Sequence, residues 1–181
     1  MTKESIRFAG DPIPDKKAMI RVNHAGEYGA IRIYAGQLAV MGNRSTASGE
    51  IERMAGQEQL HLERFEELMQ QHRVRPTALI PVWRHAGFML GALSALAGPR
   101  TAMAVTAAVE TEIDAHYRQQ LDQLGSDDPE LSDTIETFRQ EELEHRDSAL
   151  AHGAEDIPVY PILSRLVRLG CRMAIRLSEK V

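Results

Sequence analysis

Two Glu-x-x-His patterns occur in the 181-residue chain, Glu58 with His61 and Glu142 with His145. On a helix, residues i and i+3 share a face about one turn apart, so each pair can present a carboxylate and an imidazole to one metal ion. With 17 Glu and 7 His in 181 residues, about 0.7 such pairs arise by chance, so two alone carry little information. Spacing adds what the pairs lack. Glu27 precedes Glu58 by 31 residues and Glu110 precedes Glu142 by 32, so each half holds one solitary Glu and then one Glu-x-x-His, with the halves offset by 83 and 84 positions. Four carboxylates cancel the charge of two divalent cations when both histidines are neutral, whereas four buried carboxylates by themselves repel strongly. A set rich in oxygen with two imidazoles suits iron or manganese, and ligand softness does not choose between them.

To gather these residues the chain needs four long helices, and its punctuation provides them. A first helix is expected over Lys16–Met41, after Pro12 and Pro14 and before the stop at Gly42 and Asn43. A second, over 45–72, opens on Ser/Thr capping residues and ends before Pro76. An apolar helix over 79–96 closes at Gly98 and Pro99, a third long helix runs over 101–124, and a fourth over 128–152 stops at Gly153. A last helix is expected over 161–178, behind Pro158 and Pro161. No stretch alternates as a strand would. The reading is an all-α single domain over 1–181: two hairpins joined by an apolar crossover (79–97), with a basic amphipathic tail (160–178) and a faint internal repeat. Pointed inward, Glu27, Glu58 with His61, Glu110, and Glu142 with His145 form the two-metal pattern of ferritin-like bundles.

Composition narrows the function. A single cysteine, Cys171, excludes an internal disulfide, a cysteine zinc site and an iron-sulfur cluster, so a reducing compartment is expected. Residues 1–10 lack the apolar run of a secretory signal, and a bacterial cytoplasmic product is expected. The net charge of −5 conceals a tail, 160–181, with five basic residues against Glu179, which leaves the main body strongly acidic and argues against nucleic acid as a partner. The longest uncharged, His-free stretch in the apolar middle is 86–99, shorter than the roughly 20 residues a membrane span needs.

The stretches RVNHAGEYGAIRIYAGQ (21–37), EQLHLERFEELM (58–69), AVETEIDAHYRQQL (108–121) and FRQEELEHRDSAL (138–150) resemble the demethoxyubiquinone hydroxylase family over nearly the whole chain. The resemblance implies a ferritin-like, membrane-associated di-iron monooxygenase of ubiquinone biosynthesis, with Glu27, Glu58, His61, Glu110, Glu142 and His145 as iron ligands. It further implies O2 as cosubstrate, one oxygen reaching the quinone ring and the other leaving as water, and an external reductant such as NADH, since no glycine-rich nicotinamide or flavin fingerprint occurs. At Asn23 the chain has an amide where the family more commonly carries an acid. Other proteins of the same pathway and a second copy of this chain are candidate partners.

The remaining residues divide less sharply. His24, one turn before Glu27, and His116 with Tyr117, about two turns after Glu110, are candidates to hydrogen-bond a ligand carboxylate or approach substrate, or equally to fill a polar core. The resemblance favours His116 and Tyr117. Tyr28 and the methionines, Met41, Met54, Met69, Met89 and Met103, are read as packing, Cys171 as an inert small hydrophobe, and Glu112, Glu141 and Glu144 as solvated helix faces. The crossover is apolar round most of its circumference, so it is either buried or set against lipid, and lipid is the reading adopted. Arg165, Arg168, Arg172 and Arg176, at intervals of 3, 4 and 4, form a basic stripe suited to an anionic membrane surface, here the cytoplasmic side of a bacterial inner membrane; the alternative is a fifth bundle helix whose arginines face water or acidic neighbours. A ferritin-like ferroxidase, a di-iron hydroxylase of another substrate and a non-enzymatic membrane scaffold remain as alternatives, separable by product and metal content.

Overall fold

The computed structural model describes residues 14–181, and the expectations for residues 1–10 and Pro12 fall outside them. Six α-helices follow one another: α1 (Lys16–Met41), α2 (Thr46–His72), α3 (Ile80–Leu96), α4 (Pro99–Leu124), α5 (Pro129–Ala151) and α6 (Tyr160–Ser178). A 3-10 turn, Ala154–Asp156, which the sequence reading did not anticipate, precedes α6, and no strand occurs among the described residues. The expected boundaries shift by one or two residues, most at α4, which begins at Pro99 because a proline at the first helical position has a preset φ and no N–H to orphan. Side chains of Asp15, Ser45 and Asp128 accept the first free N–H groups of α1, α2 and α5. Gly42 and Gly125 close α1 and α4 at φ of 52° and 53°, a region open to glycine without strain.

α1 and α2 form one hairpin and α4 and α5 the other, while α3 carries the chain between them along the outer side of α1. Contact between α1 and α3 is backbone to backbone. A Cβ on Gly36 would lie 2.1 Å from the Phe88 carbonyl oxygen, and one on Gly91 would lie 1.9 Å from that of Ile33. Those glycines, which weaken a helix in isolation, are what let this pair close.

Two large apolar clusters fill the bundle. One gathers Tyr34, Met41, Ile51, Met54 and Met103; the other gathers Ile20, Phe65, Leu68, Leu124, Leu131 and Ile135. A smaller third, Ile33, Val105, Ala108, Val109 and Val167, joins α1, α4 and α6. Met41, Met54, Met69 and Met103 are buried as expected of packing residues, but Met89 is exposed on α3.

α6 docks on α4 and α1, with Val167 buried and Arg168 and Arg172 placing guanidinium groups 3.0 and 2.9 Å from Glu112. Glu112 is therefore buried and paired, a correction to the solvated face expected of it: its partners arrive from a helix more than fifty residues later. Trp83 Nε1 donates to Ser178 Oγ at 3.0 Å and ties the start of α3 to the end of α6. The basic stripe is thus divided, with Arg168 and Arg172 turned to the bundle and Arg165 and Arg176 exposed. Outward, α6 shows Ile162, Leu166, Leu169, Met173 and Leu177, and α3 shows Val82, Met89, Leu93 and Leu96. No helix among the described residues is long and apolar enough to cross a membrane.

Candidate metal centre

Between the two large apolar clusters, four helices bring six buried residues together: Glu27 from α1, Glu58 and His61 from α2, Glu110 from α4, Glu142 and His145 from α5. They fall into two overlapping sets, Glu27, Glu58, His61 and Glu142, and Glu58, Glu110, Glu142 and His145. Within each set one donor atom per residue lies within 4.8 Å of the others. Glu58 and Glu142 serve both. Glu58 Oε2 is 3.8 Å from His61 Nδ1 while its Oε1 is 3.1 Å from His145 Nδ1; Glu142 Oε1 is 3.2 Å from His61 Nδ1 while its Oε2 is 3.1 Å from His145 Nδ1. Each of these two carboxylates thus offers one oxygen to each side. Glu27 Oε2, 3.6 Å from His61 Nδ1, adds to one side alone, and Glu110 belongs only to the other.

Both imidazoles turn Nδ1 inward and use Nε2 outward. His61 Nε2 meets the Glu141 carboxylate, and His145 Nε2 is 3.0 Å from Gln57 Oε1. Each acceptor requires a proton on Nε2, so the Nδ1 lone pair is left for the centre, the arrangement second partners impose on metal-bound histidine. Tyr34 donates to Glu110 Oε1 at 2.8 Å, and Tyr117 donates to Glu27 Oε1. Both phenols are pushed well above their ordinary range, by burial first and then by the carboxylates around them, so they stay protonated donors.

The charge balance of the cluster tests its fit to metal. Glu58 and Glu110 are raised well above the carboxylate range, chiefly by burial and then by Glu142. For Glu142 burial also pushes up, but the His145 and His61 imidazoles outweigh it and hold it at about 2; the carboxylates in turn overcome burial at His61 and carry it to about 11. The pocket is built to collect positive charge. Both Glu58 oxygens and His61 Nδ1 are buried without a hydrogen bond, though imidazole and carboxylate stand at ion-pair distance from one another. His145 Nδ1 pairs with Glu142 Oε2 at 3.1 Å, but the unbonded Glu58 oxygens and His61 Nδ1 converge as ligands about a cation do, and four carboxylates with two neutral imidazoles match two divalent ions.

Of the three further candidates, Tyr117 contacts the cluster and the two histidines do not. His24 is buried, its Nε2 3.9 Å from Glu66 and its Nδ1 without a partner; burial lowers its basicity. His116 accepts from Gln120 Nε2 at 2.8 Å, and burial depresses it to about 4, so it is a neutral acceptor. Gln120 exchanges two hydrogen bonds, 2.8 and 2.9 Å, with Asn23, whose amide is thus paired away from the ligands. Sequence reasoning missed Tyr34, Gln57 and Glu141, and Glu141 is corrected from a solvated charge to the partner of His61. The repeat offered a signal for all three. Tyr34 and Tyr117 each lie seven residues after a solitary Glu, and Gln57 and Glu141 each directly precede the Glu of a Glu-x-x-His. The repeat extends to Gln37, bonded to Thr106 at 3.3 Å, as the counterpart of Gln120 with Asn23.

Beside the centre lies an apolar cavity of about 490 Å³ between α1, α3, α4 and α6. Gly26, Ala30, Val109 and Ile113, which flank Glu27 and Glu110 along their helices, form its inner wall. Ala86, Leu166 and Gly170 line it and are exposed, so its mouth opens between α3 and α6. Gly29 lines it too, and a Cβ there would meet nothing within 4 Å.

An all-α bundle with two solitary glutamates and two Glu-x-x-His pairs converging on one buried point defines the ferritin-like carboxylate class. Residues 15–178 match the family described as ubiquinone biosynthesis protein COQ7, and the chain belongs to that family. It is 50% identical over 177 residues to a 3-demethoxyubiquinol 3-hydroxylase of Rhodospirillum rubrum, covering 97% of this chain and 84% of that protein. It is 52% identical over 166 residues to the Mus musculus protein named NADPH-dependent 3-demethoxyubiquinone 3-hydroxylase, mitochondrial, covering 90% and 76%. To the 5-demethoxyubiquinone hydroxylase, mitochondrial, of Saccharomyces cerevisiae it is 37% identical over 179 residues, covering 90% and 77%.

Proposed function

We propose that this chain, acting as one domain, hydroxylates the ring of a demethoxyubiquinone or its quinol in ubiquinone biosynthesis, with O2 as cosubstrate and two iron ions held by Glu27, Glu58, His61, Glu110, Glu142 and His145. The observation that carries the reading is the pair of overlapping ligand sets with Glu58 and Glu142 common to both. Iron bound there would supply the electrons and the open coordination that O2 activation needs. The protein's own part is positional. Tyr34 and Tyr117 hold Glu110 and Glu27 by hydrogen bonds, Gln57 and Glu141 fix the imidazole tautomers, and the apolar clusters on either side keep bulk water from the centre.

The apolar cavity is suited to a prenylated ring, since its lining is almost wholly hydrocarbon and its inner wall shares α1 and α4 with the centre. A long isoprenoid tail leaves lipid at a cost of about 0.8 kcal/mol per CH2, so a mouth flanked by outward apolar residues of α3 and α6 favours entry from a bilayer. We place the protein peripherally on the cytoplasmic side of a bacterial inner membrane, with a nicotinamide nucleotide as external reductant. A storage or ferroxidase role accounts for the ligands but gives no use to the cavity or to the two exposed apolar stripes.

The test is turnover by iron-loaded protein given reductant, 18O2 and a demethoxyquinone. One labelled oxygen on the ring is the expected result; label from water, or iron oxidation without a hydroxylated product, would overturn it.

A further inference from the structure

We infer that the two metal positions are unequal, the position of His61 being the tighter and more electron-rich, because the residues behind the two histidines differ in charge. The inference rests on the metal-site reading above. In kind, the ligands match: each position has one solitary glutamate that accepts from a tyrosine, one oxygen from each of Glu58 and Glu142, and one imidazole through Nδ1. Behind the imidazoles the match ends. At the equivalent places of the repeat stand Glu141, bonded to His61 Nε2, and Gln57, bonded to His145 Nε2.

A carboxylate accepting the Nε2 proton lends the ring imidazolate character and makes Nδ1 a stronger donor to metal; a neutral amide does so weakly. A second contact widens the difference. Gln57 Oε1 also accepts from the Arg53 guanidinium, whose charge draws density out of the same oxygen that faces His145, while Arg53 itself is bonded to Glu50. The counterpart of Arg53 in the second half is the uncharged Thr137. His61 is further held by Phe138, stacked on its ring at a centroid distance of 3.9 Å. Glu141 and Gln57 are thus positioning residues that grade two ligand sets otherwise alike.

The measurement is an anaerobic titration of the metal-free full chain with Fe(II), followed by calorimetry, with Mössbauer spectra of 57Fe at one equivalent. The wild type should take up iron in two steps separated by about 10- to 100-fold in affinity, with one quadrupole doublet dominant at one equivalent. Glu27→Ala, which removes the solitary glutamate of the His61 position, should weaken the first step; Glu110→Ala should leave it unchanged. Glu141→Gln should draw the two steps together, and Gln57→Glu should tighten the second about threefold or more. In the exchanged double variant, Glu141→Gln with Gln57→Glu, the order should reverse, with Glu110→Ala now weakening the first step. Two equal steps in the wild type, or an exchange that leaves the order of filling unchanged, would overturn the inequality and leave the ligand set standing. Absence of iron binding in the wild type would overturn the metal reading and this inference together.

Discussion

Glu58 and Glu142 each send one oxygen to either side of the centre, which makes them unlike the other four residues of the cluster. Loss of Glu142 should therefore remove nearly all of the two irons per chain, whereas Glu110→Ala should retain about one, with helicity by circular dichroism kept in both; elemental analysis decides it. His116 gives a pH dependence of the same sign as the paired carboxylates that acid usually releases, but from a buried base that must charge rather than an acid that must be neutralised. Burial holds it at about 4 against about 6.5 in the unfolded chain, so between those values the unfolded state binds the extra proton and stability falls as pH falls. In urea unfolding of metal-free protein, the loss between pH 7 and pH 4.5 should be about 1–2 kcal/mol smaller in His116→Gln than in the wild type. The convergence of the six residues was legible because their spacing runs along the chain and repeats. Tyr34, Gln57 and Glu141 were not, because each acts on a residue of another helix, and a pattern read along one helix does not report what faces it across a bundle.

At the scale of the helix, the glycines of α1 and α3 reverse their ordinary meaning. Read singly, Gly26, Gly29 and Gly36 weaken the case for a long first helix, yet α1 runs unbroken for 26 residues because α3 packs on it at backbone distance. Gly91→Ala and Gly36→Ala should each cost about 2–3 kcal/mol, since the added methyl meets a carbonyl that cannot turn aside. Gly56→Ala, where a Cβ would meet nothing within 4 Å, should instead gain about 0.5–1 kcal/mol from helix propensity. Thermal unfolding of the three variants provides the comparison, and a common sign would refute the packing account. Helix existence and order were readable from prolines, caps and apolar runs. The docking of α6 was readable only as an alternative to lipid, because Glu112 and its two arginines are far apart in sequence and every one of them, taken alone, suits a solvated face.

For the molecule as a whole, outward apolar residues of α3 and α6 flank the cavity mouth, so under the proposed function attachment to lipid and admission of substrate would fall to the same surface. The division of the arginines sharpens the expectation drawn from the stripe. Arg165→Gln with Arg176→Gln should weaken flotation with anionic liposomes while leaving thermal stability near that of the wild type. Arg168→Gln with Arg172→Gln should lower stability by about 2–4 kcal/mol, because Glu112 is left buried and unpaired. Equal effects of the two pairs on both measurements would show that the stripe is not divided in solution. The halves of the chain answer one another at tyrosine, glutamine, glutamate and histidine, and each donor set draws on both of them, that of His61 on Glu142 and that of His145 on Glu58. That is the plan of a symmetric dimer of helical hairpins written as one gene. A true dimer must change both copies at once, so its two centres stay identical; joining the copies lets a single substitution fall on one centre alone.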